Sequence, residues 1–193
     1  MSEDQDRAEH ILETALMLGE RHGWDALHLH DVAQQMGIGL AEIHRHYRQK
    51  DDLAEAWFDR ADLALIRTGE CAGWDSLTVR ERLLKAILAW FEALSPHRGL
   101  SVEMLRYKLQ PDHLHLQAGG LMRISRTVQW IRETARLPTV GWRRELEEVV
   151  LTGIFLGTVG RWLLDPSPDA RRTRAWLEVS LTAAEQVALR LPH

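Results

Sequence analysis

Apolar residues recur at helical spacing along most of the chain, and one of the shortest runs is the most informative. Between residues 29 and 36 they fall at i, i+3, i+4 and i+7, which makes one apolar face on a short helix (Leu29, Val32, Ala33 and Met36). Gly37 and Gly39 interrupt that pattern, because glycine reaches positive φ without a Cβ clash and weakens a helix. A second short helix is predicted over residues 40–47, with Ile43 and Tyr47 buried. Two short helices joined by a glycine turn predict a helix-turn-helix, whose second helix can enter a DNA major groove.

Longer apolar runs predict helices on both sides of this motif. A helix over residues 8–22 is expected to end at Gly23, and Trp24 is expected to fill a three-helix core. Asp51 and Asp52 mark the start of a long fourth helix, where carboxylates suit the positive end of the helix dipole. Further helices are predicted over residues 79–94, 100–109, 121–137, 142–164 and about 177–191, with loops at 73–76, 95–99, 111–120, 138–141 and 165–168.

No run leaves room for a sheet, so the predicted class is all-α with about nine helices. Residues 1–52 are predicted to form the three-helix helix-turn-helix domain. Residues 53–193 are predicted to form a C-terminal helical bundle.

The last two predicted helices carry stripes of small and apolar residues. Spacings of three and four residues recur in both stripes (Leu146, Val150, Gly153, Gly157, Gly160 and Leu164, then Leu177, Leu181, Ala184 and Ala188). Glycines in one stripe let another helix approach closely, and such a pair of stripes suits a four-helix dimer interface. The alternative is that both stripes complete the core of a single subunit.

Charge is distributed unevenly along the chain. The formal net charge is −4 with histidines counted as neutral, but residues 1–60 contain 6 Lys and Arg against 13 Asp and Glu, a net charge of −7. A DNA-binding domain is normally basic, because Lys and Arg displace counterions from the phosphates. Six of the ten histidines lie in this segment, and their protonation near DNA would offset part of the deficit (His10, His22, His28, His30, His44 and His46).

Composition otherwise matches an ordinary globular protein. The chain has 193 residues, 45% of them hydrophobic and 27% charged, which is enough for a sizeable core. A single cysteine, Cys71, cannot form an intrachain disulfide, so a reducing, cytoplasmic setting is expected. The acidic N-terminus does not resemble a secretory signal, and the most apolar run, residues 149–164, is interrupted by Thr, Gly and Arg. We therefore expect a cytoplasmic protein without a membrane span.

Eight tryptophans are unusual enrichment for a chain of this length. Six large apolar residues of the middle helices could line a pocket for a small apolar effector (Trp90, Phe91, Met104, Met122, Trp130 and Phe155). Equally, tryptophan fills helical cores when its N–H finds one partner.

Neither metal binding nor catalysis is predicted. Histidines at i and i+2 on a helix point to different faces, so His44 and His46 cannot chelate together. His113 and His115, in a predicted loop, are better placed, but no cysteine or further carboxylate completes a zinc set. No nucleophile elbow, phosphate-binding loop or zinc-protease motif occurs, so no enzyme activity and no cofactor are expected.

The stretch from about Ala8 to Leu63 resembles the N-terminal domain of TetR-family transcriptional regulators. The matching or conservatively replaced positions of the family's motif are Leu29, Val32, Ala33, Gly37, Ile38, Ile43, His46, Tyr47, Lys50 and Asp51. The resemblance implies a homodimer whose two helix-turn-helix units lie about one DNA turn apart, roughly 34–36 Å. It also implies that an effector in the C-terminal domain changes this spacing and so regulates operator binding.

Departures from the family's pattern fall on the DNA-facing positions. Gly39 stands where a serine usually caps the recognition helix, and Leu40 replaces a residue that often touches bases. Glu42 brings a carboxylate toward phosphate, while His44 replaces a phosphate-binding tyrosine and His28 a capping Ser or Thr. The DNA contacts implied by the resemblance are His28, Leu40, Glu42, His44, Arg45, His46, Tyr47, Arg48 and Lys50, with Lys50 holding a phosphate from the start of the fourth helix.

A second resemblance predicts a different function. Residues 79–98 and 162–177 are similar to the lipid-binding accessory family of ubiquinone biosynthesis, which keeps the TetR fold without DNA binding. That resemblance implies an isoprenoid lipid as ligand and an acidic helix-turn-helix that serves only as scaffold. The family's extra C-terminal amphipathic helix, which docks on membranes, has no counterpart before His193.

Overall fold

The computed structural model describes residues 3–108 and 114–190, and within them it contains nine α-helices and no strand. The helices are α1 (Glu3–His22), α2 (Leu29–Met36), α3 (Leu40–His46), α4 (Lys50–Thr68), α5 (Val79–Leu94), α6 (Arg98–Lys108), α7 (Leu114–Ala135), α8 (Trp142–Leu164) and α9 (Arg171–Ala188). Short 3₁₀ turns lie at Trp74–Ser76, Ser95–His97 and Pro168–Ala170. The predicted all-α class is therefore confirmed. None of the described helices is long and apolar enough to cross a membrane.

Three helices begin at least five residues before their predicted starts: α1, α7 and α9, the last of which begins at Arg171 rather than at about residue 177. α1 begins at Glu3, five residues before the predicted start, because three carboxylates in its first turn suit the positive end of the helix dipole. α7 begins at Leu114, although residues 111–120 were predicted to be a loop. Gly119 and Gly120 lie inside α7, so that glycine pair does not end the helix. Residues 111–113 of the predicted loop lie outside the described part of the chain, and so does the side chain of His115, the second member of the better-placed histidine pair.

The chain divides into two compact units, and the division differs from the predicted boundary at residue 52. One unit comprises Met1–Ala61 together with Leu94–Gln117, so α6 belongs with the N-terminal helices. The other comprises Asp62–Ala93 and Ala118–His193. α4 contributes its first part to one unit and its last part to the other.

In the N-terminal unit, α1 supplies the centre of the core. Ile11, Leu12 and Leu16 are fully buried, and Trp24 is buried directly after the glycine that follows α1, as predicted. Further contacts attach α6 to this core. The indole N–H of Trp57 donates to the Ser101 hydroxyl at 2.8 Å, and Leu100 packs so closely on Gly19 that an added Cβ would lie 2.9 Å from its methyl carbon.

In the other unit, Asp62 is the centre of a buried polar network. Its Oδ1 accepts hydrogen bonds from the Trp90 indole and the Thr127 hydroxyl, each at 2.9 Å. Its Oδ2 accepts from the Arg123 guanidinium, also at 2.9 Å, and all four residues are buried. A buried charge is tolerated only when it is paired and hydrogen-bonded, and Asp62 meets both conditions. The network therefore links α4, α5 and α7.

Candidate nucleic-acid interface

The turn between α2 and α3 forms as its glycines predict. Gly37 adopts a left-handed conformation at φ 66°, and its N–H reaches the Gln34 carbonyl while the Ile38 N–H reaches that of Ala33. Gly39 is extended at φ −82° and carries no side chain to cap α3. Only Gly37 therefore needs to be glycine for its conformation. Ile43 is fully buried and fixes α3 on the unit's core.

The outer side of this motif carries five of the nine predicted DNA contacts. These exposed residues are His28, Leu40, His44, Arg45 and Arg48. His30, which the pattern did not select, is also exposed, and its ring stacks on that of His28 with centroids 5.2 Å apart. The sequence feature that would have identified His30 as part of this surface is its position two residues after His28, at the start of α2. The exposed set combines one apolar side chain, two arginines and three imidazoles.

Glu42 and His46 bond within the domain. The Glu42 carboxylate lies 2.6 Å from the Arg45 guanidinium, and its other oxygen lies 3.8 Å from the His46 ring. Asp4 on α1 lies 3.6 Å from the other His46 ring nitrogen, and the His46 side chain is only 5% exposed. The His46 ring is nearly buried on the side of α3 that faces α1, so it is not placed for the predicted DNA contact. Glu42 offsets the charge of Arg45 on the same helix face.

Tyr47 is buried and has a structural role. Its hydroxyl donates to the carbonyl oxygen of Ala8 at 3.1 Å, which joins the end of α3 to α1. Burial raises the pKa of the Tyr47 phenol; the Glu9 carboxylate raises it further, while Arg60 opposes the shift. The burial that the apolar pattern predicts for Tyr47 is therefore confirmed, and its hydroxyl, already used inside the core, is not placed for the DNA contact that the resemblance implies.

Lys50 lies at the start of α4, but its ammonium points into the α1–α2 turn. Its Nζ donates to the carbonyls of Trp24 at 2.8 Å and of Asp25 and Leu27 at 3.2 Å each. The indole of Trp24 and the ring of Tyr107 lie 5.3 and 5.5 Å from the same nitrogen. Burial lowers the pKa of the Lys50 ammonium, and the Asp25 carboxylate partly restores it. An ammonium has three N–H donors and all are committed here, which contradicts the predicted phosphate contact.

Asp52 stabilises the N-terminus of α4, as its position at the start of that helix predicts. Asp52 accepts the backbone N–H groups of Arg48 and Gln49 at 2.9 and 3.3 Å. These bonds satisfy N–H groups at the N-terminus of α4, which have no partner within the helix. The segment after α3 is thereby held in a tight turn, which places Arg48 on the surface.

The predicted pocket residues do not form one lining. Trp90, Phe91 and Phe155 are buried together in the C-terminal unit, where the Trp90 ring lies 5.0 Å from Phe91 and 5.2 Å from Phe155. Met104 is fully buried in the other unit, on α6. Filling the core and satisfying one indole N–H therefore account for Trp90.

Met122 and Trp130 of α7 lie on the surface, with exposed fractions of 73% and 42%. α7 instead turns its face with Thr127, Val128 and Ile131 toward the core. The prediction that Met122 and Trp130 line an enclosed pocket is therefore wrong, because they lie on the exposed face of α7.

Two of the predicted interface residues on α9 belong to the chain's own core. Leu177 and Leu181 are buried within the single chain, Ala184 is half-buried, and Ala188 is exposed. The alternative, that the α9 stripe completes the core of a single subunit, therefore holds for Leu177 and Leu181, because that side of α9 packs within its own unit.

The glycines of α8 have different roles. A Cβ on Gly157 would lie 2.4 Å from the Trp176 ring of α9, so this glycine gives room to a side chain of the same chain. Gly153 and Gly160 are exposed, and no heavy atom within 4 Å would meet a Cβ there. Exposed apolar residues accompany those two glycines along α8 (Trp142, Leu146, Val149, Val150, Leu156 and Leu164).

Comparisons with known proteins agree with this geometry. The family model described as bacterial regulatory proteins of the tetR family matches residues 11–57, which span the second half of α1, all of α2 and α3, and the start of α4. The HTH-type transcriptional regulator AcrR of Shigella flexneri is 25% identical over 178 residues, covering 85% of this chain and 81% of that protein.

Solved structures extend the similarity to the whole chain. The crystal structure of the TetR transcriptional regulator from Nitrosomonas europaea ATCC 19718 superposes with a TM-score of 0.82 at 38% identity, covering 93% of this chain and 98% of that one. PfmR, a TetR-family regulator from Thermus thermophilus, shares the fold with a TM-score of 0.53 at 17% identity, covering 89% and 97% of the two chains. These relatives are regulators rather than enzymes, and the chain belongs to the TetR family of transcriptional regulators.

Proposed function

We propose that this regulator acts in the cytoplasm as a homodimer, which binds operator DNA through α2 and α3 and is released by a small apolar effector. The observation that carries the DNA-binding proposal is the arrangement of α3. Its buried Ile43 anchors the helix, while Leu40, His44 and Arg45 of the same helix and Arg48 just beyond it are exposed. A short helix held in this way can present its outer side chains to a major groove.

The exposed apolar stripe of α8 supports the dimer. Val149 and Leu164 are 69% and 78% exposed, and Gly153 and Gly160 between them leave space for a neighbouring helix. On α9, Val179 and Val187 are also exposed, eight residues apart. Contiguous apolar surface of this kind marks interaction sites in soluble proteins. We propose that a second copy covers it and builds a four-helix interface from α8 and α9.

The effector part of the proposal rests on the aromatic cluster in the C-terminal unit. Trp90, Phe91 and Phe155 share this cluster with Trp162, whose ring lies 5.4 Å from that of Phe91. An apolar molecule that separates these rings would also disturb the hydrogen bond from Trp90 to Asp62 on α4. A ligand acts in this way only if it binds one conformation more tightly than the other.

The decisive experiment measures DNA affinity at two salt concentrations. Labelled duplexes of random sequence and of the region upstream of the protein's own gene are titrated with wild-type protein, Arg48→Ala and Arg67→Ala. Arg67 is the matched control, an exposed arginine in the last turn of α4. We expect a salt-dependent affinity whose slope falls by about one for Arg48→Ala and is unchanged for Arg67→Ala.

Lack of binding to either duplex would overturn the proposal. In that case the lipid-binding alternative predicts an isoprenoid that co-purifies with the protein, and mass spectrometry of an organic extract would detect it. Equal losses for the two arginine variants would show that the contact is not at α3.

The dimer has its own test. Val149→Lys, in the α8 stripe, is compared with Leu63→Lys, an exposed apolar residue of α4. Sedimentation velocity should show a dimer for wild type and Leu63→Lys and a monomer for Val149→Lys, because burying an unpaired ammonium at an interface is costly. A dimer in all three proteins would place the interface elsewhere.

A further inference from the structure

The helix-turn-helix has few positively charged side chains left for DNA once their contacts within the protein are counted. Residues 28–50 contain three Lys and Arg residues, which are Arg45, Arg48 and Lys50. Lys50 donates to three backbone carbonyls, and Arg45 lies 2.6 Å from the Glu42 carboxylate. The surrounding segment of residues 1–60 still carries −7 with histidines neutral. Binding a polyanion with this surface requires positive charge from another source.

Three imidazoles lie where that charge is needed. His28 and His30 are exposed at the start of α2, with their rings nearly parallel at 22° and 5.2 Å between centroids. His44 is exposed in the last turn of α3, where the negative end of the helix dipole favours a cation. Histidine has an ordinary pKa of about 6.5, so nearby charges decide its protonation at neutral pH.

The charged neighbours of these imidazoles are mostly acidic. The Asp31 carboxylate lies 3.3 Å from the His30 ring and also accepts the His28 backbone N–H. Lys50 approaches this region from α4, where its ammonium binds the carbonyl next to His28. On α3, His44 is followed by Arg45, whose charge Glu42 offsets.

The remaining acid near α3 belongs to α1. Asp4 lies 3.6 Å from the ring of His46, on the inner side of α3. A phosphate is an anion that accepts hydrogen bonds, so it binds an imidazolium, whose two ring nitrogens both donate, better than a neutral imidazole, which donates through one.

We propose that His28, His30 and His44 bind DNA phosphates as imidazolium groups, so that DNA binding takes up protons and strengthens as the pH falls. This inference rests on the proposed DNA binding and adds a regulatory input to the same surface. By linkage, each proton taken up tightens Kd by at most about tenfold per unit decrease in pH.

The test measures Kd by fluorescence anisotropy at about pH 6 and about pH 7.5, on either side of the ordinary histidine pKa. The probes are the random and upstream duplexes named above. Wild type is compared with His28→Asn/His30→Asn/His44→Asn and with the control His10→Asn/His22→Asn, whose histidines are exposed on α1. Calorimetry in two buffers of different ionisation enthalpy counts the protons taken up.

We expect Kd of wild type and of the α1 control to tighten by about tenfold or more between the two pH values. We expect the triple variant to change by less than about twofold. Binding that is equally strong at both pH values would overturn the inference and leave the proposed function standing. Lack of binding at both would overturn both proposals. A pH response that the triple variant retains would assign the protons to other groups and overturn the inference.

Discussion

The ammonium nitrogen of Lys50 lies 2.8 Å from the carbonyl oxygen of Trp24, the residue that follows the glycine after α1. The same nitrogen is 5.3 Å from the centre of the Trp24 indole. Tyr107 contacts it from α6, and the Trp24 N–H donates to Glu103 of that helix at 2.7 Å. The start of α4 and the middle of α6 therefore hold the turn that leads into α2.

Replacing Lys50 by methionine should reduce stability and leave the DNA salt dependence unchanged. The substitution keeps the apolar part of the side chain but removes the ammonium group, which leaves three carbonyls without their shared donor and costs about 1–3 kcal/mol. Urea unfolding gives the free-energy change, and DNA titrations at two salt concentrations give the slope.

Arg48→Ala is the matched control for this prediction. This variant should show the opposite pair of effects. Its free energy of unfolding should stay within about 0.5 kcal/mol of wild type, as for most surface changes, and its DNA affinity should depend less steeply on salt concentration. If Lys50→Met kept full stability but lost salt dependence, Lys50 would bind phosphate after all.

Local patterns predicted most of the fold because helices are local structures. The apolar spacing of residues 29–36 and the glycine at position 37 depend on neighbours within a few residues, and both were correct. The assignment of α6 to the N-terminal unit depends on the Trp57–Ser101 and Trp24–Glu103 hydrogen bonds. Those bonds join residues 44 and 79 positions apart, so periodicity could not predict them.

The site was harder to predict than the fold for a related reason. Resemblance to a motif placed Tyr47 and Lys50 at DNA-facing positions, but it does not say where their polar atoms point. Both side chains instead find partners on α1 and in the turn after it. His30 was not among the predicted DNA contacts because no motif position marks it, and only the folded chain places its ring on that of His28.

Gly157→Ala should destabilise the chain, whereas Gly153→Ala should not. A Cβ at position 157 would lie 2.4 Å from the Trp176 ring, and such overpacking costs about 1–3 kcal/mol. At position 153 no atom of the same chain lies within 4 Å, so in the monomeric Val149→Lys background alanine should gain about 0.5–1 kcal/mol through its better helix propensity. Thermal and urea unfolding measure both variants.

The loss at Gly157 must persist when protein concentration is lowered, because Trp176 belongs to the same chain. In the wild-type background, a loss at Gly153 that vanishes on dilution would agree with the proposed dimer interface, whereas a loss at Gly157 that vanishes on dilution would contradict the role given to Trp176.

Removing Asp62 should be among the most damaging single changes in the C-terminal unit. Asp62→Ala leaves the buried Arg123 guanidinium without its carboxylate, and breaking a buried ion pair in this way costs about 3–5 kcal/mol. Adding Arg123→Met should recover most of the loss, because the stranded charge is then gone. A double-mutant cycle by urea unfolding measures the coupling, and additive losses would contradict it.

Asp165 predicts a pH-dependent contribution to stability at the α8–α9 turn. Its carboxylate accepts the N–H and hydroxyl of Thr173 at 2.8 Å each, and the N–H and hydroxyl of Ser167 at 2.9 and 2.5 Å. Burial alone would raise its pKa, but these four hydrogen bonds outweigh burial and hold the pKa of Asp165 well below its ordinary value.

A carboxylate with a lowered pKa in the folded state stabilises the protein above its unfolded pKa of about 3.9, and that contribution is lost as the pH falls below it. Asp165→Asn should therefore lower stability at neutral pH by about 1 kcal/mol, as loss of a helix cap does. The difference from wild type should shrink below about pH 4, because the unfolded wild-type chain then gains a proton on Asp165 that the folded chain does not take up. Asp169→Asn, an exposed aspartate in the same turn, is the control and should show neither effect. Urea unfolding from neutral pH down to about pH 3 decides the matter, since a constant difference across that range would mean that the charge of Asp165 does not contribute.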